Sequence, residues 1–361
     1  MSSQSKTSAA PAALDKLVIS TRPQFKGSCA PASAIPKTTP QRLLRASGDA
    51  ITSTTLSAAD PVESVLYLAY GSNMCAETFL GMRGIRPLSQ VNVSAPSIRL
   101  SFDLPGFPYR EPCFANVAFR NVPEKKRDEG CKFVHQDMEW DGGLVGVVYE
   151  VTTQDYGRIL RTEGAGSSYN ETVVGCYPIG PKETQPAGGS KLFYARTLYY
   201  PSHRDDDSGR KNWWQRFLDG RQRPDPNYAQ ASERYLNLLR AGGQEHDLPA
   251  SYRNHLDTLP AYTVTRWSQT VGQYVFILCW APLFVLSLAA MRTLTDETGK
   301  LPSWLARAMA MLSDLMWVSY DVFFKPVFGD GERTEGDHLS DASLSLVHAS
   351  THGSFVEEAG V

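Results

Sequence analysis

LYLAYGSNM, Leu66 to Met74, begins as a strand and stops as a turn. Leu66, Tyr67, Leu68 and Ala69 suit a buried strand. Gly71, Ser72 and Asn73 then expose the backbone. A strand that breaks this way can turn its N–H groups into a concave nest, which suits an anion or a carbonyl oxygen. Gly71 permits close approach of a ligand to the main chain. Ser72 and Asn73 add side-chain donors, and Asn tolerates left-handed backbone angles. The plainer reading is a turn with no further role.

The residues around this stretch are mainly strands. SIRLSFD (97–103) alternates apolar and polar, as a half-buried strand does. CFANVAF (113–119) is another strand, followed by a charged loop at EKKRDEG. GLVGVVYEV (143–151) is a nearly unbroken β-branched run and reads as a central strand. Thr153 then caps a short helix with Tyr156, Ile159 and Leu160 inward, stopped by GAG. SYNETVVGCYPI and KLFYARTLYY (191–200) add two more strands. Many strands, short helices and tight connections predict an α+β fold built on a small mixed β-barrel or a curled sheet.

Further on, Ala231, Tyr235, Leu238 and Leu239 share one helical face, and AGG is expected to end that helix. A second helix starts near Pro249, with Tyr252, Leu256 and Leu259 inward.

Tyr274 to Met291 is a run of 18 residues without a charge, long enough to span a membrane. Pro282 within it is better tolerated by a membrane helix than by a soluble one. After it, Trp304, Leu305, Ala308, Met311, Leu312, Leu315 and Met316 fall on one helical stripe, but Arg307, Asp314 and Asp321 interrupt the segment. That second segment suits the plane of a membrane interface. The alternative is a pair of core helices. Arg292, Lys300 and Arg307 outnumber Arg266 and favour a cytoplasmic C-terminal flank, whereas an in-plane arrangement leaves the preceding part cytoplasmic too. The expected organisation is a disordered tail over 1–61, a folded unit over 62–262, a hydrophobic helical membrane-associated segment over 263–328, and a disordered tail over 329–361.

The net charge of -2 over 361 residues, without a basic stripe, gives no sign of a nucleic-acid partner. The six cysteines have neither metal-ligand nor redox-motif spacing, and they read as reduced thiols in a cytosolic-facing protein. The first sixty residues are rich in Ser, Ala, Pro and Thr, and Lys6, Lys16, Arg22, Lys26, Lys37, Arg42 and Arg45 outnumber the acids. A mitochondrial transit peptide shares this composition, but a disordered tail is the simpler reading.

The second chemical feature is RTEGAGSSY, Arg161 to Tyr169. Glu163 lies between a helix and the next strand. Most such residues are solvated loop carboxylates. At the rim of an apolar pocket, however, its pKa would rise toward neutrality, where it could take and return a proton.

These features together resemble the γ-glutamylcyclotransferase family. The matching residues are Tyr70, Gly71, Ser72 and Asn73 after a strand, then Glu163, Gly164 and Tyr169 after GVVYEV, then YLNLLRAGGQEHDLPASYRNHL with Leu248, Pro249 and Tyr252. The resemblance covers about Ser64 to Leu259. The tail, the hydrophobic C-terminal extension and a long loop over Asn121 to Asp141 depart from it, as does Leu198, where the family often has Tyr. It implies a cofactor-independent enzyme that closes a γ-glutamyl group into 5-oxoproline and releases an amine. Glu163 would be the catalytic acid–base, and Tyr70, Gly71, Ser72, Asn73 and Tyr169 would bind the substrate. The leaving group would be an amino acid, Cys-Gly or a glutathione-derived adduct, the last as in sulfur-containing secondary metabolism. A binding or scaffolding module on the same fold, tethered to a membrane, is the competing reading, and a membrane adaptor is a third.

Overall fold

The computed structural model describes residues 32–47, 64–120, 140–162, 170–180, 183, 190–200, 225, 228–294 and 302–336. Its strands are β1 (Ser64–Ala69), β2 (Ser89–Ala95), β3 (Ile98–Phe107), β4 (Glu111–Phe119), β5 (Leu144–Thr152), β6 (Asn170–Pro178) and β7 (Phe193–Tyr199). Five of them close a barrel in the order β1-β5-β2-β6-β7. Neighbours are antiparallel except β1 and β7, which meet in parallel at Tyr67 and Arg196. The expected small mixed barrel is therefore present. β5 is buried from Leu144 to Tyr149 and lies between β1 and β2, which is the environment its β-branched run suits. β3 and β4 form a separate two-stranded hairpin.

β2 was not legible as a strand. Ser89, Gln90 and Asn92 are polar yet buried, so SQVNVSA lacks the apolar alternation of a barrel strand. Burial is offset by partners that come from far along the chain. Ser89 donates to Glu150, Gln90 to the Ala32 carbonyl and Asn92 to the His246 carbonyl.

Those partners correct the expectation of a disordered tail over 1–61. Residues 32–47 pack on the barrel. β2 pairs with β6 only at Val93 and Ser94, which leaves the backbone of Gln90 open. The arm fills it: Gln90 N–H donates to the Pro36 carbonyl and Thr38 N–H to the Gln90 carbonyl. Helix α1 (Pro40–Arg45) then sends Arg42 to Glu150 at 2.8 Å. Besides these bonds the arm places only Ala32, Ile35, Leu43 and Ala46 on the core, so its composition does not announce it. The other residues of 1–61 lie outside the described set, apart from these.

Helix α2 (Thr153–Thr162) buries Tyr156 and Ile159 as expected, but its cap is Thr152, whose Oγ1 accepts the Asp155 N–H at 3.1 Å. Helix α3 (Glu233–Glu245) is capped by Ser232 and does not stop at Ala241-Gly242-Gly243. It runs through them, because Gly242 is where the helix backbone touches the turn after β1. Helix α4 (Ala250–Thr258) buries Tyr252 and Leu256.

The charge-free run lies within helix α5 (Trp267–Leu294), which contains Pro282. Helix α6 (Ser303–Ser319) follows and continues through Tyr320–Phe324 to Lys325–Phe328. The expected single stripe divides. Leu305 and Met316 are buried, whereas Trp304, Ala308, Met311 and Leu315 are exposed. The packed face continues instead as Trp317, Tyr320 and Phe324. The polar residues after Gly329 are also corrected. Asp330, Gly331, Glu332 and Arg333 are buried, because the chain returns to the barrel side of the molecule. Gln230 N–H donates to the Glu332 carbonyl there, and Thr334 N–H donates to Gln230. Residues 337–361 lie outside the described set.

Candidate active site

The turn after β1 forms the floor of a cleft. Tyr70 ends the strand and its hydroxyl donates to the Leu198 carbonyl of β7 at 2.6 Å. Ser72–Met74 make a single tight helical turn, closed by Met74 N–H to the Gly71 carbonyl and Cys75 N–H to that of Ser72. The first N–H groups of such a turn have no partner inside it. Asn73 is buried, and its Nδ2 donates to the Tyr67 hydroxyl at 2.9 Å.

α3 grips this turn from behind. A Cβ on Gly242 would meet Met74 Cβ at 2.6 Å, so the helix backbone lies directly on the turn. Glu245 accepts the Ala76 N–H at 2.7 Å and the Cys75 thiol at 3.7 Å. Burial raises the pKa of the Cys75 thiol, and the nearby Glu245 charge adds to that. His246 Nε2 reaches the Met74 carbonyl at 3.0 Å and the Tyr149 hydroxyl at 2.8 Å. A carbonyl can only accept, so Nε2 carries the proton. Burial lowers the His246 pKa to about 4 and keeps the ring neutral near pH 7.

In front of the turn lies a small open cleft. Tyr67, Tyr70, Gly71, Ser72 and Asn73 line it from β1 and the turn, with Ala115 from β4, Leu198 from β7 and Tyr235 from α3. The Tyr235 hydroxyl accepts the Ala115 N–H at 3.2 Å, and its ring meets Phe114 edge-on. Ser232, the α3 cap, donates to Glu111 of the hairpin, which Arg234 also engages. The cleft thus presents hydroxyls, an amide and backbone, with apolar walls at Ala115 and Leu198.

Tyr70, Gly71, Ser72 and Asn73, singled out from sequence, share this one cleft. Glu163, Gly164 and Tyr169 lie outside the described residues. The ends of their segment are described. Tyr156 of α2 donates to Glu171 of β6 at 2.5 Å, and Tyr156 packs 6.2 Å from Tyr67. In the β6–β7 ladder Glu171 stands opposite Leu198. Tyr156, near the start of α2, and Glu171, the second residue of β6, thus each lie next to a residue that lines the cleft.

Tyr67, Ala115 and Tyr235 were not singled out as site residues. In sequence Tyr235 is an inward helix position, and the helical period that buries a core residue also places a cleft residue. Among the described residues no group of three or more His, Cys, Asp or Glu side chains could hold a metal ion.

Residues 266–327 match the family described as AclK C-terminal domain. The γ-glutamyl cyclotransferase gliK of Aspergillus fumigatus is 32% identical over 277 residues, 76% of this chain and 91% of the relative. The γ-glutamyl cyclotransferase aclK of Aspergillus oryzae is 29% identical over 280 residues, 74% of this chain and 90% of the relative. A solved structure described as a γ-glutamyl cyclotransferase aligns at a TM-score of 0.37 and 17% identity, over 56% of this chain and 92% of that one.

Proposed function

The chain belongs to the γ-glutamyl cyclotransferase family, and on that premise we propose that it binds a γ-glutamyl group on the turn Gly71–Asn73 and cyclises it with Glu163 as acid–base. The observation that carries this reading is the cleft itself. Its floor is the Gly-Ser-Asn turn, and among the described residues none of the eight that line it is a carboxylate or an imidazole. The base must come from elsewhere. The connection that bears Glu163 and Tyr169 joins elements beside Tyr67 and Leu198, which supports their assignment.

The chemistry then follows from the substrate. The α-amine of a γ-glutamyl compound is protonated at neutral pH and cannot attack. Glu163 accepts its proton, and the amine nitrogen attacks the γ-carbonyl carbon to close a five-membered ring. Backbone N–H groups of the turn orient the glutamyl group and take up charge on the carbonyl oxygen. The bond to the leaving nitrogen breaks as Glu163 returns the proton to it, and the second proton that the ring nitrogen sheds passes to the released amine, which leaves as the ammonium. The products are 5-oxoproline and a free amine. The reaction is intramolecular, so holding the folded conformer supplies several kcal/mol. Tyr70 positions the turn through Leu198, Ser72 and Asn73 add donors, and Tyr169 donates to the substrate carboxylate or to Glu163.

The open mouth and the apolar Leu198 and Ala115 favour a bulky leaving group, such as the thioether end of a glutathione-derived adduct, as in the biosynthesis of sulfur-containing metabolites. We assign the catalytic unit to 62–262, joined by the docked arm 32–47, and the membrane-associated segment to 263–328. Trp267–Ser287 is long and apolar enough to cross a membrane, and only 17% of that window is buried, too little for an ordinary core helix. The two ends of the α5–α6 pair meet each other, through Gln269 to the Asp330 carbonyl and Thr263 to Thr334, and both meet the residues before α3, through Tyr262 N–H to the Ala231 carbonyl and Gln230 N–H to the Glu332 carbonyl. That favours an in-plane or re-entrant arrangement with the catalytic unit cytoplasmic.

The test is product release from γ-glutamylalanine, glutathione and S-hexylglutathione in parallel. Equimolar 5-oxoproline and amine are expected, with the S-conjugate preferred. No product from any substrate would sink the reading, and a preference for free glutathione would sink the bulky leaving group. Flotation with phosphatidylcholine–phosphatidylserine vesicles tests the membrane segment, and a protein left at the bottom of the gradient would refute it.

A further inference from the structure

An isolated two-stranded hairpin is marginal in water and needs another surface to hold it. β3–β4 is such a hairpin, it stands outside the barrel, and Ala115 in it is a wall of the cleft. Beside its turn, Glu111, which pairs with Phe107, ties the hairpin to α3. A second tie holds the turn itself.

Tyr109, at the tip, has φ 65, a left-handed conformation that costs a non-glycine residue about 1 kcal/mol. The C-terminal segment holds it there. Tyr109 N–H donates to the Gly331 carbonyl at 2.7 Å, its hydroxyl donates to the Gly329 carbonyl at 2.9 Å, and Gln273 of α5 donates to the Tyr109 carbonyl at 2.6 Å. Its ring packs edge-on against Phe276 and Tyr320. Gly331 is fitted to that ring, since a Cβ there would lie 2.9 Å from it. Asp330 fixes the loop by accepting from Tyr320 at 3.1 Å, from the N–H groups of Glu332 and Arg333, and from Lys325 at 2.9 Å.

We propose that the C-terminal segment, through the joint between Tyr109 and residues 329–331, holds the β3–β4 hairpin in place as the wall of the cleft and thereby sets the affinity for substrate. This rests on the cleft being the γ-glutamyl site. Tyr109 and Gly331 are positioning residues that act through Ala115 and Tyr235. The segment then has a role inside the enzyme in addition to its exposed apolar face, and the barrel without it has an incomplete site.

The test uses the full chain with Tyr109→Ala, Tyr109→Phe and Gly331→Ala. Hydrogen exchange of the Ala115 amide reads the hairpin without reference to activity, and the amides of β1 and β5 report the barrel. In Tyr109→Ala the Ala115 amide should lose protection while β1 and β5 keep theirs. KM for S-hexylglutathione should rise about tenfold with kcat within about threefold, the pattern of lost binding rather than lost chemistry. Tyr109→Phe, which keeps the ring, should restore most of the affinity. If Tyr109→Ala also loosens the barrel, Gly331→Ala, which displaces the ring without deleting it, carries the same test. Unchanged protection at Ala115 would overturn the proposal, as would lost protection with an unchanged KM. A wild type that makes no 5-oxoproline would instead refute the function above, and the exchange data would still decide whether the segment holds the hairpin.

Discussion

Gly242 of α3 and Met74 of the Gly-Ser-Asn turn are in such close contact that a Cβ on the glycine would lie 2.6 Å from that of the methionine and 3.0 Å from Cys75 N. The atoms in the way are largely backbone and cannot swing aside. Glycine to alanine in a helix interior ordinarily stabilises by about 1 kcal/mol. At Gly242 the sign should reverse, to a loss of about 1–3 kcal/mol from overpacking. Gly243 is the internal control. Its nearest neighbours are 3.6 Å away, so Gly243→Ala should be neutral or stabilising. Urea denaturation of both variants checks the pair.

Gly71→Ala separates site from fold. Gly71 has φ -113, which any residue adopts. A Cβ there would project toward the cleft, 3.1 Å from the Tyr235 hydroxyl and 3.5 Å from Ala115 Cβ. Stability should change by less than about 1 kcal/mol, whereas kcat/KM for a γ-glutamyl substrate should fall by about tenfold to a hundredfold. Steady-state kinetics beside a melting curve reads both.

His246 should make the enzyme acid-sensitive in a defined window. Its pKa is about 4 in the fold, where burial disfavours the charged ring, against an ordinary 6.5. Above pH 6.5 both states are neutral and the group has no effect. As pH falls from 6.5 toward 4 the unfolded chain takes up a proton that the folded one refuses, so stability falls, by about 3 kcal/mol in all. Burial works against the Glu150 carboxylate, but hydrogen bonds from Ser64, Ser89 and Arg42 outweigh it and lower its pKa. Its contribution is therefore present above the ordinary carboxylate range and lost below it, outside most of the histidine window. Denaturation at a series of pH values should show the slope between 6.5 and 4 in the wild type and a shallower one in His246→Gln.

Much of the barrel was legible because β1, β5 and β7 carry their burial in their own residues. β2 was not, because its buried Ser89, Gln90 and Asn92 are satisfied by Glu150, Ala32 and His246, none of them near in sequence. For the same reason the arm 32–47 and the loop 329–336 have the composition of tails: a segment that docks largely by hydrogen bonds needs few apolar residues. Gly242 and Gly243 looked like a helix stop because close approach and helix termination use the same residue. In the site, Tyr70 to Asn73 stood out because a strand ending in Gly-Ser-Asn is locally unusual. Ala115 and Tyr235 did not, since each becomes a wall only when the hairpin and α3 meet.

The most direct measurement compares wild type with Glu163→Gln for both substrate binding and 5-oxoproline release. The substitution keeps the size of the side chain and removes the proton acceptor. Calorimetric binding of S-hexylglutathione to the variant should stay within about threefold, while kcat falls by about a hundredfold to ten-thousandfold, the range of general acid–base catalysis. A variant that turns over at the wild-type rate, or a wild type that binds the γ-glutamyl compound and never releases 5-oxoproline, would contradict cyclisation by Glu163.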